Sequence, residues 1–234
     1  MKIFQKIFLF ILLGSLLGLT VAAVEKPPAR LVKLVLDYRS SKATEKVKGT
    51  SHVIAMDSPV TGPSGCSATA IGPHALLTAS HCEKPDGFVT VDGEKGVPIV
   101  KVIRDGDDHS ILFLEPKSVR FLYTARFVNR PLKVGEFVFI WGNPGDSGVQ
   151  FVAILRTGKF EAQNIFKNRI TDVFDLACEH GDSGSAIFDI NGNIVDVLSI
   201  GGSLSIPNYG DVGNATGALR VKFPPEVFEE AAKF

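Results

Sequence analysis

Short hydrophobic stretches recur along most of this chain, and glycine, proline, asparagine or aspartate separates each one from the next. Runs of this length bounded by turn-forming residues are typical of β-strands. The pattern predicts strands at residues 67–71, 75–78, 88–91, 97–103, 111–114, 136–141, 150–155, 186–190 and 194–200. Many short strands at close spacing indicate an all-β sandwich or barrel.

Two segments depart from this pattern. Two prolines precede residues 226–234, whose apolar positions can share one helical face, and proline is favourable at the start of a helix. We therefore predict a short C-terminal helix. Residues 24–50 are rich in lysine, arginine and proline, with one apolar stretch at 31–36. We interpret them as an N-terminal extension that packs onto the domain.

Residues 1–23 have the composition of an export signal. Lys2 and Lys6 give a positively charged start, an apolar run extends from Ile7 to Leu19, and small residues follow it. This signal predicts a secreted or extracytoplasmic protein. The alternative is an uncleaved membrane anchor, because the apolar run is close to the minimum length of a membrane-spanning helix. Only in that case do we expect contact with a membrane.

Composition and charge favour no particular partner. The chain is 45% hydrophobic and has 25 basic and 25 acidic residues, which is ordinary for a globular protein. Since there is no basic excess, we do not expect nucleic acid binding. The three cysteines are Cys66, Cys82 and Cys178. In an oxidising compartment two of them would pair and one would be left over.

One segment carries a histidine that could act as a general base, and another carries a carboxylate that could orient it. His81 follows the strand predicted at 75–78, and histidine suits general base catalysis near neutral pH. Asp108 precedes the strand predicted at 111–114, where a carboxylate can accept an imidazole N–H and fix the tautomer. Asp107 would shift the strand by one residue and reverse its faces, so we assign the role to Asp108. Taken singly, the first segment is more typical of a structural histidine, and the second of an acidic turn before a strand.

The third segment is Gly181-Asp182-Ser183-Gly184. Glycines on both sides permit a sharp turn that exposes the serine hydroxyl. The same turn can direct the N–H groups of Gly181 and Ser183 to one point, as an oxyanion hole requires. The alternative interpretation is a glycine-rich acidic turn between two strands.

Together the three segments resemble the chymotrypsin-like serine protease family, in which His, Asp and Ser follow one another in this order. The resemblance is nearest to bacterial-type members such as the glutamyl endopeptidases. It implies an all-β chain with two six-stranded antiparallel β-barrels and a short C-terminal helix, the first barrel at 51–125 and the second at 126–234. It implies His81, Asp108 and Ser183 as catalytic residues, no metal or organic cofactor, and a monomer.

The resemblance also implies substrate contacts and a disulfide. Protein or peptide substrates would pair with an edge strand and place one side chain in a pocket. The residues expected to contact substrate are Ala177, His180, Ser199, Ile200, Gly201 and Gly217. Two of these are glycines that leave the pocket wall open, which favours a small or apolar residue before the scissile bond. A disulfide between Cys66 and Cys82 would brace the histidine loop, with Cys178 left as a free, buried thiol.

The sequence departs from the family pattern before the first barrel. No Ile-Val-Gly-Gly-like segment precedes it, so we predict that Asp182 pairs with a group other than a new N-terminus.

Two other functions are compatible with the three segments. A viral or phage polyprotein-processing protease would share these motifs. A pseudoprotease that only binds proteins would keep the fold, although such a protein usually lacks one of the three catalytic residues.

Overall fold

A computed structural model describes the chain from residue 46 onwards, with gaps. The described residues are 46–56, 64–83, 87–144, 154–166, 168–199, 205–206, 210–211 and 216–234. The predicted export signal and most of the predicted extension at 24–50 lie outside them. None of the helices in these ranges is long and apolar enough to cross a membrane.

Six antiparallel strands close into a barrel in the order β1-β2-β3-β6-β5-β4. They are β1 (Ser51–Met56), β2 (Ser64–Gly72), β3 (Ala75–Ala79), β4 (Phe88–Val91), β5 (Glu94–Arg104) and β6 (His109–Leu114). Both β3 and β6 are buried along their whole length. Leu76 and Leu112 belong to the barrel core, whereas Phe113, on the other face of β6, packs against Phe234 with 5.0 Å between ring centroids. Because both faces are covered, these strands are apolar almost throughout.

A second antiparallel sheet of six strands has the order β11-β10-β7-β8-β9-β14. Its strands are β7 (Phe137–Gly142), β8 (Ile154–Phe166), β9 (Arg169–Asp175), β10 (Ala186–Asp189), β11 (Ile194–Val197) and β14 (Thr216–Leu219). The sheet curls, so that β11 and β14 at its two ends lie near each other. Its core includes Val138, Ile140, Phe160, Phe174 and Ile187. Two short strands, β12 (Ser205–Ile206) and β13 (Gly210–Asp211), pair separately.

The helix α1 (Pro225–Lys233) ends the chain with a proline in its first turn. It packs on β2 at Gly72, where a Cβ atom would overlap the Ala231 carbonyl oxygen. Phe228 stacks on Phe127 of the connection between the two sheets, with 4.4 Å between ring centroids. The helix therefore fastens the end of the chain to the first barrel and to that connection.

These elements confirm the predicted fold class, an all-β chain of chymotrypsin-like architecture with two six-stranded antiparallel units and a short C-terminal helix. Strands β1, β9, β12, β13 and β14 were not predicted, and β8 overlaps the strand expected at 150–155 only at its start. The expected boundary at 125/126 falls in the connection between β6 and β7 and stays a prediction.

Candidate active site

The His81 and Asp108 side chains meet at one end of the first barrel. His81 lies in a short 3-10 helix that directly follows β3, and Asp108 directly precedes β6, the antiparallel neighbour of β3. His81 Nδ1 lies 2.7 Å from Asp108 Oδ2, and the His81 backbone N–H donates to Asp108 Oδ1 at 3.1 Å. A carboxylate accepts hydrogen bonds, so Nδ1 carries the proton and Nε2 of the neutral ring has a free lone pair.

The two neighbouring carboxylates of this turn have different partners. The Asp108 side chain is 21% exposed and the His81 side chain 46% exposed, so the imidazole is accessible while its carboxylate partner is largely covered. Asp107 instead pairs with Lys222 Nζ at 2.7 Å and with Arg169 Nε at 3.5 Å. The structure therefore places Asp108, rather than Asp107, against His81, as the strand register inferred from the sequence predicted.

A disulfide between Cys66 and Cys82 confirms the pairing that the family resemblance implied. Cys178 is a free thiol as expected, but it is half-buried rather than buried. The bond joins β2 to the residue after His81. The two sulfur atoms and a ring nitrogen of His81 lie within 4.8 Å of one another. Oxidised sulfurs offer no thiolate ligand, so this group is a brace for the histidine rather than a metal site.

Removing this disulfide should destabilise the fold. The two cysteines are 16 residues apart, and closing a loop of about that length is worth roughly 3 kcal/mol in the chain-entropy model. We expect the double variant Cys66→Ser/Cys82→Ser to lose about this much free energy of unfolding, measured by urea titration. Cys178→Ser is the matched control. Equal stabilities of the two variants would contradict the role of the bond.

The turn that carries Ser183 lies directly against the first barrel. Gly181 and Gly184 have φ angles of 94° and 84°, a region that favours glycine. The Ser183 carbonyl accepts the Ser67 N–H at 2.8 Å, and the Ser67 hydroxyl donates to the Gly181 carbonyl at 2.8 Å. A Cβ atom at position 184 would overlap the Ser67 carbonyl oxygen and Thr78 Oγ1. Only glycine permits this approach of the two sheets.

The groups that would contact a substrate carbonyl are available on this turn. Within the described ranges, the backbone N–H groups of Gly181 and Ser183 donate to no other group, and neither does the half-buried Ser183 hydroxyl. Cys82 Sγ, adjacent to His81, lies 3.7 Å from the Ser183 carbonyl oxygen. Hydrogen bonds between a nucleophile and its base commonly tighten only in the substrate complex.

Asp182 is fully buried and has a partner from another strand. Its carboxylate forms an ion pair with Arg156 of β8 and accepts the Glu179 N–H at 2.7 Å. Gly142 leaves room for the carboxylate, because a Cβ there would overlap Asp182 Oδ1. Burial raises the pKa of Asp182, although the Glu179 N–H and the Arg156 guanidinium act against this shift. The prediction that Asp182 pairs with a group other than a new N-terminus is confirmed.

The residues expected to contact substrate are only partly described. Ala177 and His180 are exposed in the connection between β9 and β10. Ser199 is buried after β11, and Gly217 is buried in β14 opposite Val173. Ile200 and Gly201 lie outside the described residues. Contact with substrate at these positions stays a prediction.

Sequence reasoning missed several residues that support the site. Arg156 precedes Asp182 by 26 residues, and no local pattern links the two. Ser67 is similarly remote from the turn it holds. Asp105 and His109 form a buried ion pair across the turn that contains Asp108. Their spacing of four residues was visible in the sequence, but nothing marked them as partners.

Comparison with known proteins identifies a family. The model of the trypsin-like peptidase domain matches residues 66–196, more than half of the chain. No curated protein sequence matches the chain.

Solved structures resemble the fold. The Rv3671c protease of M. tuberculosis in its active form is 19% identical, with a TM-score of 0.60 over 77% of this chain and 79% of that one. A mutant of Rv3671c from M. tuberculosis H37Rv in its inactive form is 18% identical, with a TM-score of 0.57 over 79% of this chain and 87% of that one. At these identities the likeness shows the fold.

Proposed function

Because this chain belongs to the trypsin-like peptidase family, we propose that it is a serine endopeptidase that cleaves protein or peptide substrates through an acyl-enzyme on Ser183. The observation that carries the proposal is the 2.7 Å contact between His81 Nδ1 and Asp108 Oδ2, beside the turn that bears Ser183. The proposed mechanism needs no metal or organic cofactor.

In the proposed reaction, Ser183 Oγ attacks the scissile carbonyl carbon while His81 Nε2 takes the hydroxyl proton. The imidazolium then donates this proton to the leaving amine nitrogen, the C–N bond breaks, and the acyl group remains on Ser183. Water attacks the ester with His81 again as base. Return of the proton to Ser183 Oγ releases the carboxylic acid and restores the enzyme.

Two further groups stabilise charge in this mechanism. Asp108 holds the Nδ1–H tautomer of His81 and stabilises the imidazolium that forms. The N–H groups of Gly181 and Ser183 bind the oxyanion, and such a donor typically contributes about 3 kcal/mol to transition-state stabilisation. Their lack of other partners among the described residues supports this assignment.

We also propose that the protein acts outside the cytoplasm on a small or apolar residue before the scissile bond. The disulfide supports the location, because such bonds persist in oxidising compartments. The export signal predicted at 1–23 supports it as well. Ala177, where trypsin-type family members carry a pocket acid, supports the preference for an uncharged residue.

Digestion of denatured casein, combined with a biotinylated fluorophosphonate, tests the proposed function. We expect peptide products and a single labelled peptide that contains Ser183. Binding of casein without cleavage would instead identify a pseudoprotease. Cleavage confined to the protein's own precursor would identify a polyprotein-type protease.

A further inference from the structure

A second histidine–carboxylate pair lies directly behind the turn that carries Asp108. His109 Nδ1 lies 2.6 Å from Asp105 Oδ2, and both side chains are fully buried. On its other side, His109 Nε2 lies 3.1 Å from the hydroxyl of Ser199, which is also buried. Asp105 and His109 belong to the first barrel, whereas Ser199 follows β11 of the second sheet. The hydrogen bonds that join Asp105, His109 and Ser199 therefore connect the two sheets.

Hydrogen-bond chemistry places a proton on Nδ1 of His109, because the Asp105 carboxylate only accepts. On the other side of the ring, Nε2 shares a hydrogen bond with the Ser199 hydroxyl, which also donates to the Val197 carbonyl at 3.1 Å. All three side chains are satisfied, which a buried polar group requires if it is not to destabilise the fold.

Asp105 also organises the turn that holds Asp108. Its carboxylate accepts the backbone N–H groups of Asp107 at 2.9 Å, His109 at 3.3 Å and Lys222 at 3.0 Å. Burial acts to raise the pKa of Asp105, but the hydrogen bond and charge of His109, together with these backbone donors, outweigh it and hold the pKa below its usual value. The carboxylate therefore remains an ionised acceptor at the centre of the turn.

The segment next to Ser199 is hydrogen-bonded to the turn that carries Ser183. The Gly184 N–H donates to the carbonyl of Leu198 at 2.8 Å, and the Leu198 N–H donates to the carbonyl of Ser185 at 2.9 Å. Leu198 is the residue before Ser199. The contact between His109 and Ser199 thus links the segment bearing Asp108 to the segment bearing Ser183.

We propose that His109 is a positioning residue for the peptidase reaction. It holds the His81–Asp108 pair at a fixed place relative to Ser183 through its hydrogen bonds to Asp105 and Ser199. The inference rests on the proposed function, because the position of Asp108 affects turnover only if His81 is the base. The geometry of reacting groups strongly affects rate, since small misplacements raise the barrier.

Two substitutions of His109 each remove one of its two side-chain hydrogen bonds and keep the other. Asparagine can place its amide near the position of Nδ1 and still donate to Asp105, but it does not reach Ser199. Glutamine is longer and its amide can still form a hydrogen bond with Ser199, while Asp105 keeps its three backbone donors. We expect His109→Asn to lower kcat on fluorescein-labelled casein, and the fluorophosphonate labelling rate of Ser183, about tenfold with KM unchanged. We expect His109→Gln to stay within about threefold of the wild type.

Ser199→Ala should reproduce the effect of His109→Asn, and the double variant should lose no more than either single variant. His52→Asn is the matched control. His52 Nδ1, on β1, lies 2.7 Å from Asp92 Oδ2, and no hydrogen bond joins this pair of side chains to Asp108 or Ser183 within the described ranges. All rates are taken per folded molecule, with the folded fraction measured by circular dichroism.

If folded His109→Asn were labelled at Ser183 at the wild-type rate, the inference would be wrong. Equal losses of kcat in His109→Asn and His109→Gln would also overturn it. Failure of the wild type itself to label would refute the proposed function and the inference with it. The two failures are therefore distinguishable.

Discussion

Ser183→Ala should lower turnover of denatured casein by about 10⁴- to 10⁶-fold while leaving the fold intact. The reason is that the variant has no oxygen to form the acyl-enzyme, so only binding and the oxyanion donors would remain. Circular dichroism and thermal unfolding should be unchanged, since the half-buried Ser183 hydroxyl makes no hydrogen bond with the described residues. Initial rates of peptide release measure the loss.

Ser185→Ala is the matched control for this experiment. Ser185 lies two residues along the same chain segment, and its buried hydroxyl has no hydrogen-bond partner in the described part of the structure. Its removal should therefore leave both stability and turnover close to those of the wild type. Undiminished cleavage by Ser183→Ala, or loss of activity in Ser185→Ala alone, would rule out Ser183 as the nucleophile.

Asp108→Asn should lower turnover near neutral pH by around 10⁴-fold. The substituted amide can donate to the ring, which favours the wrong tautomer of His81 and removes the charge that stabilises the imidazolium. The measurement is kcat on casein at fixed pH, with the folded fraction monitored in parallel.

Asp107→Asn serves as the neighbouring comparison. The Asp107 carboxylate pairs with Lys222 and Arg169, both partly exposed, so its loss should cost about 1 kcal/mol of stability or less and change turnover less than tenfold. If Asp107→Asn proved the crippling change and Asp108→Asn the mild one, the assigned orienting carboxylate would be wrong.

Much of the fold was predictable because β2 to β7 and strands β10 and β11 contain apolar runs separated by turn residues. Most of the hairpin of β8 and β9 was missed because it contains no continuous apolar run: the buried Phe160 lies between the exposed Lys159 and Glu161. Such alternation is itself a strand pattern, which the apolar runs do not reveal. The strand β14 consists of Thr216-Gly217-Ala218-Leu219, whose small side chains give little hydrophobic signal although all four are buried.

The candidate site divides in the same way. The residues around His81 and Ser183 are recognisable because each forms a local segment with its own turn chemistry. The contact between His109 and Ser199 spans 90 residues, and that between Arg156 and Asp182 spans 26. Such contacts depend on how two sheets fold against each other, which hydrophobic periodicity does not encode.

The close approach at Gly184 has a consequence for when the protein acquires activity. The serine turn packs against Ser67 and Thr78 of the first barrel, so under the proposed mechanism neither sheet alone contains a complete catalytic centre. During synthesis the histidine and aspartate leave the ribosome first, and domains generally fold in that order. Under the proposed mechanism, a partly translated chain that lacks the serine turn therefore has no proteolytic activity. Proteolytic activity would then report that the two sheets have folded against each other.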